Sequence, residues 1–174
     1  MRIDEIPTVD AASVVAALLA AWAAQDPLRI ELSSYRVVSM VGEKGLRTEV
    51  YQPAGEAAPG DVLEWKLAAA NQSKETLEDV ALVIPVPSGT VYVPGSARTL
   101  NLNGVTVAPE FSFDEGVHFA HPPLIKRIFV EKGGLRKAVE VEVGPEEYTH
   151  VRWTLPALPS GAGLTVAFRT RVKP

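Results

Sequence analysis

The chain has 174 residues, a formal net charge of −4 at pH 7 and no cysteine. That length suits one domain and hardly two, and it can bury a core without disulfide support. The charge balance gives no electrostatic footprint for nucleic acid, and the missing cysteines exclude disulfides, thiol nucleophiles and thiolate metal sites.

Residues 1–10 are polar and acidic, and Ala11 to Ala24 follows as an almost unbroken run of small apolar residues. It is too short to span a bilayer comfortably, since a spanning helix needs about 20 apolar residues. It has the length of a signal-peptide core, and Ala21-Trp22-Ala23 offers a small-x-small cleavage site. Against that, Arg2 is outweighed by Asp4, Glu5 and Asp10 where a signal peptide wants positive charge. The alternatives are a buried or amphipathic helix capped by Thr8 or Asp10, or a helix docked on a partner. Residues 1–24 are therefore expected to be a signal peptide or an N-terminal helix, and residues 28–174 a single β-sandwich domain.

After Pro27 the period changes from helix-like to two. Leu28, Ile30 and Leu32 alternate with Arg29 and Glu31, and the runs Tyr35–Met40 and Leu46–Tyr51 flank a Gly-bearing hairpin loop. Pro59-Gly60-Asp61 signals a turn. Leu63, Trp65, Leu67 and Ala69 then share one strand face, with Glu64 and Lys66 on the other. Asn71 to Glu75 is a polar connection, so the formal glycosylation sequon Asn71-Gln72-Ser73 reads as a turn. Val80, Leu82 and Ile84 form the next alternating face. Pro85 and Pro87 end or kink that strand, because neither can donate to a ladder. Thr90 to Val93 resumes as a strand after Ser88-Gly89.

Asn103-Gly104 between two short apolar runs is a strong hairpin signal. Phe111 and Phe113 alternate with Ser112, and Asp114-Glu115-Gly116 turns the chain. Val117 to Leu124 is an irregular crossing because of Pro122-Pro123. Ile125–Val130 and Ala138–Val143 bracket another hairpin. Pro145 to Tyr148 is a turn or a single helical turn. Val151, Trp153 and Leu155, then Leu164, Val166, Phe168 and Val172, close the chain as two core-facing strands. The fold class expected is all-β, an immunoglobulin-like antiparallel β-sandwich, with Trp65, Trp153 and Phe168 as its central aromatics. No second copy of the 59–96 stretch follows, so this is one module and no tandem array.

The segment PGDVLEWKLAAANQS followed by LEDVALVIPVPSGTVYVPGS resembles the repeated surface domain known as domain of unknown function eleven. Pro59, Gly60, Asp61, Trp65, Asn71, Pro87 and Gly89 stand at the places of that family's pattern. The closing VRWTLPALPSGAGLTVAFRTRV is similar to its last hairpin, and Ser112 to Gly116 is similar to one of its turns. The likeness spans roughly residues 59 to 172, with an unusual insertion between its two parts. Val83-Ile84 departs from it, since the family often carries an acidic residue before the Pro kink. The resemblance implies an immunoglobulin-like sandwich of bacterial envelope or secreted proteins.

Several clusters resemble chemistry but fall short of it. His118 and His121 have H-x-x-H spacing, yet in an extended segment positions three apart point to opposite faces. His150 lies at the edge of a core strand. Asp114 and Glu115 supply too few oxygens for calcium without a D-x-D-x-D-G loop. Glu140, Glu142, Glu146 and Glu147 form an acidic patch, with Glu140 and Glu142 about 7 Å apart along one strand face. Such a patch is more simply edge protection than a glycosidase pair. There is no G-x-S-x-G elbow, phosphate loop or dinucleotide fingerprint. The expectation is thus no catalytic, cofactor-binding or metal-binding residues, no cofactor, and no enzyme.

The function expected is that of a non-catalytic, exported cell-envelope module with a structural, adhesive or assembly role. Its partners would be other envelope proteins or polysaccharide, or further copies of itself, with no nucleic acid and no transmembrane segment. Two alternatives stand beside it. One is a strand-exchanging assembly subunit, in which residues 1–27 or an open edge complete a neighbour's sheet. The other is a carbohydrate-binding module using exposed Tyr51, Tyr92 and Tyr148.

Overall fold

The structure is a computed structural model and describes residues 26–41, 45–132 and 135–174. The expectations for residues 1–24 lie outside the described residues. The strands in chain order are β1 (Leu28–Val41), β2 (Arg47–Pro53), β3 (Val62–Asn71), β4 (Leu77–Pro85), β5 (Thr90–Tyr92), β6 (Leu100–Leu102), β7 (Val105–Val107), β8 (Glu110–Ser112), β9 (Ile125–Lys132), β10 (Leu135–Glu142), β11 (His150–Leu158) and β12 (Gly163–Val172). A 3-10 turn at Pro145–Glu147 precedes β11. Among the described residues, no helix is long and apolar enough to cross a membrane.

One sheet runs β2-β1-β3-β12-β5 and the other β4-β11-β8, every pairing antiparallel. The β3–β4 and β11–β12 connections both pass from one sheet to the other, so β3 pairs with β12 on one side and β4 with β11 on the other. This is the expected antiparallel β-sandwich. Its interior follows the alternation in the sequence: Val80, Leu82 and Ile84 face Leu155, Trp153 and Val151 across the β4–β11 ladder, and all six are buried. Leu63, Leu67 and Ala69 of β3 and Val166 and Phe168 of β12 supply the opposing layer.

Trp153 and Phe168 are fully buried, and the Trp153 indole Nε1 donates to the Arg98 carbonyl at 3.0 Å. Trp65, the third expected central aromatic, is only partly buried. It lies opposite Phe168 in register and Ser34 on its other flank. Its Nε1 donates to the buried Thr170 hydroxyl at 3.0 Å. The three-stranded sheet does not reach far enough to cover it completely.

The same shortfall explains β1. The two apolar runs expected at 28–32 and 35–40 are one 14-residue strand. Its residues Ile30 and Leu32 pair with core residues Ala69 and Leu67 and share their face, yet are about half exposed at 52% and 49%. Among the described residues the five-stranded sheet is wider than its three-stranded partner, and these two side chains stay exposed.

The β6–β7 hairpin turns through Asn103 (φ 52°) and Gly104 (φ 85°), the two left-handed positions that make Asn-Gly favourable there. Among the described residues β9 and β10 pair only with each other and form a two-stranded arm outside both sheets. On one face of the arm lie Ile128, Val130, Val139 and Val141, all exposed, together with Lys126 and Lys137. On the other face Arg127 pairs with Glu140 at 3.4 Å, and the Arg136 guanidinium lies 4.7 Å from the Phe129 ring centre.

Candidate functional site

Two edge strands define the most developed concavity. β5 ends the larger sheet and β8 ends the smaller one, and their aromatic residues close that side of the sandwich. Tyr92 of β5 and Phe111 of β8 have ring centres 5.0 Å apart. Tyr148, placed by the turn after Pro145–Glu147, lies 4.8 Å from Phe111 and 5.7 Å from Tyr92. Phe168 backs the cluster, 6.0 Å from Tyr92. The Tyr92 hydroxyl accepts the Ala97 amide at 3.2 Å, tying the following loop to the cluster.

Outside this aromatic seam is an open pocket of about 720 Å³ with mainly apolar walls, including Pro94, Pro109, Pro122 and Pro145. Its polar groups are few: Glu142 from the end of β10, and His121, whose Nδ1 lies 3.1 Å from the Pro109 carbonyl. Burial raises the Tyr148 phenol above its ordinary pKa, with Tyr92, Glu142 and Glu146 adding to the shift. The phenol is thus a neutral donor at physiological pH.

Tyr92 and Tyr148 were expected on an exposed carbohydrate-binding face; instead they are buried, at 5% and 8% exposure, because they seal the seam between the sheets. Tyr51 is exposed and belongs to a different surface, with the Lys66 ammonium 4.7 Å from its ring centre. A second concavity of about 610 Å³ lies there. Arg169 donates to Glu49 at 2.8 and 2.6 Å, to Glu64 at 2.8 Å and to the Tyr51 hydroxyl at 3.0 Å. Those bonds hold the Glu49 carboxyl below its ordinary range and the Arg169 guanidinium above its own. Glu49, Glu64 and Arg169 in this second hollow satisfy one another.

The remaining candidates are dispersed. His118 Nδ1 lies 2.6 Å from Asp114 Oδ2, whereas His121 is held at Pro109. Asp114 caps its own turn, accepting from the His118 amide at 2.9 Å and the Ser112 hydroxyl at 2.7 Å. The backbone bond from His118, then its ring and Ser112, hold this carboxyl well below the usual range. Glu115 (φ 58°) and Gly116 (φ 81°) complete the turn against the His150 ring. No group of three or more potential metal ligands occurs among the described residues.

The acidic patch is similarly divided. Glu140 pairs with Arg127 on the arm and Glu147 with Lys126. Glu142 and Glu146 have no ion-pair partner among the described residues. Asn71 is buried, and its Nδ2 donates to the carbonyls of Glu75 (2.7 Å) and Leu158 (2.8 Å). Both amide hydrogens are engaged, so the sequon asparagine is a structural tie and no glycan acceptor.

The pocket escaped sequence reasoning because its walls come from four separated segments. The one local signal was the Pro-rich flanks of Tyr92, Phe111 and Tyr148, each of which alternates like an ordinary core residue. No protein-family model, curated protein or solved structure matches this chain.

Proposed function

We propose that this protein is a non-catalytic, exported cell-envelope module with a structural and assembly role, joined to its neighbours through open strands. The observation that carries the reading is the β9–β10 arm. A lone two-stranded hairpin is marginal in water. Among the described residues this one leaves both long edges unpaired and a row of branched apolar side chains exposed. Such a surface gains from being covered by another chain, and open strand edges recruit partners through main-chain hydrogen bonds. The partner proposed is another envelope protein that lays an apolar strand or sheet face over Ile128, Val130, Val139 and Val141. The likeness of residues 59–96 and 151–172 to an envelope domain family supports the same reading. Nothing favours carbohydrate binding, because only one of its three candidate rings is exposed.

Fractionation of the native host tests the proposal. Recovery in the envelope fraction, with a mature N-terminus at Ala24 or Gln25, is the expected result. Site-specific photo-crosslinking from position 139 should then trap one defined envelope protein. Recovery in the cytosol with Met1 retained would overturn the proposal, and so would an arm that crosslinks to nothing in the intact cell.

A further inference from the structure

The aromatic pocket has a chemistry that the assembly reading does not use. Its floor is three π-systems, Tyr92, Phe111 and Tyr148, within 6 Å of one another. Its walls are largely proline and small residues, which bring no competing hydrogen-bonding groups. The volume, about 720 Å³, lies in the range of small-molecule sites. A ligand entering it would lose water around an apolar surface of proline, small residues and the little of the three rings that stays open.

The charge around it has one sign. Glu142 lines the pocket, and Glu146 sits on the next turn, close enough that both raise the Tyr148 pKa. Neither carboxylate has an ion-pair partner among the described residues, whereas their neighbours Glu140 and Glu147 do. Among the described residues no lysine or arginine lines the pocket, and the one basic side chain, His121, is turned by its Nδ1 toward the Pro109 carbonyl. Anions are therefore disfavoured. An uncharged apolar ligand would leave Glu142 unused. An organic cation satisfies both features, because its alkyl groups suit the apolar walls and its charge is attracted by a nearby carboxylate.

We propose that this pocket is a binding site for an organic cation of the alkylammonium or quaternary ammonium class. The alkyl groups of the cation rest against the proline walls above the Tyr92–Phe111–Tyr148 seam, with Glu142 as the counter-charge. The inference is independent of the arm, whose apolar face is a separate surface.

Choline is the probe, with 3,3-dimethyl-1-butanol, its uncharged carbon isostere, as the comparator. Titration of each into the full chain is followed by NMR at the ring resonances of Tyr92, Phe111 and Tyr148. Choline should shift these signals saturably, and the alcohol should bind at least about threefold more weakly. Glu142→Gln should weaken choline about threefold to fivefold, the scale of a half-exposed charge pair, with no change in thermal midpoint. Tyr148→Phe keeps the ring and should retain most of the binding. Choline that leaves the ring signals unmoved, equal binding of the alcohol, or unchanged affinity in Glu142→Gln would each overturn the proposal. Substituting Ile128 and Val139 by serine should leave choline binding intact, which separates failure here from failure of the assembly reading.

Discussion

Replacing Asn71 by Asp changes one atom, Nδ2, from a two-proton donor to an acceptor. In the native chain Oδ1 accepts from the Ser73 amide at 2.9 Å and the Ser73 hydroxyl at 2.7 Å, and these bonds survive the change. The lost bonds are those to the carbonyls of Glu75 and Leu158, the second of them fully buried. Leaving a buried acceptor unsatisfied costs about 1–3 kcal/mol, and this falls on the Leu158 carbonyl, because the Glu75 carbonyl can still accept the Ser73 hydroxyl at 2.9 Å. With the added repulsion between oxygens, Asn71→Asp should therefore lose about 2–4 kcal/mol at pH 7, a large share of a typical domain's stability. Folding raises the pKa of the introduced carboxyl above its unfolded value, because the site disfavours charge and a protonated oxygen can donate to one carbonyl. For a raised acid the penalty grows as pH rises from the unfolded value of about 3.9 toward the folded one. The variant should consequently sit closer to wild type at pH 4 than at pH 7. Urea unfolding followed by tryptophan fluorescence at both pH values measures this. A loss under about 0.5 kcal/mol at neutral pH, or a penalty that does not shrink in acid, would refute the role given to Nδ2.

Three further outcomes follow from named contacts. Trp153→Ala should cost about 3–5 kcal/mol in urea unfolding, because it empties the centre of the core. Trp153→Phe should cost less while still leaving the Arg98 carbonyl without its indole donor. Arg169→Ala should lose about 2 kcal/mol, chiefly from the buried Glu64 carboxylate and little from exposed Glu49; Arg169→Lys should recover part of this by thermal denaturation. Asp114 is held low mainly by the His118 amide and Glu110 by Arg152, so both favour the folded state above their unfolded pKa values. That stabilisation is lost as pH falls through the depressed folded values. Asp114→Asn and Glu110→Gln should each flatten the acid limb of the unfolding midpoint plotted against pH.

The strands of the sandwich could be read from alternation, most plainly where each core-facing residue is apolar and each neighbour polar, as in Val151-Arg152-Trp153-Thr154-Leu155. The Asn71 turn, the Asn103-Gly104 hairpin and the strand end at Pro85 were legible for equally local reasons. Exposure was harder. Tyr92 and Tyr148 have short strand or turn environments that suit a surface ring as well as a buried one, and their burial is decided by where β5 and β8 meet. Ile30 and Leu32 alternate as well as any core pair, yet the opposing sheet stops short of them. The candidate pocket depends on that same long-range meeting of edges, so no single segment could announce it.

The arm shows what a finer reading of alternation contains. Its apolar face runs Lys126, Ile128, Val130 on β9 and Lys137, Val139, Val141 on β10. The core faces of β4 and β11 run Val80, Leu82, Ile84 and Val151, Trp153, Leu155, with no charge inserted. Period two is present in both, but a lysine in the apolar phase cannot enter a sealed interior unpaired. Its long stem can instead lie along an open apolar surface with the ammonium in water. Lysines at 126 and 137 thus mark this face as one that stays at a boundary, and they place its reach within contact of carboxylates, as Lys126 already meets Glu147. Any chain that covers Ile128 and Val139 must bring acceptors to Lys137 or leave that side chain a path to solvent. A Lys137→Glu exchange should therefore weaken the trapped complex in crosslinking while leaving the unfolding midpoint within about 0.5 kcal/mol of wild type, as expected for an exposed surface change. Equal capture by the charge-reversed arm would show that the partner does not seat over this face.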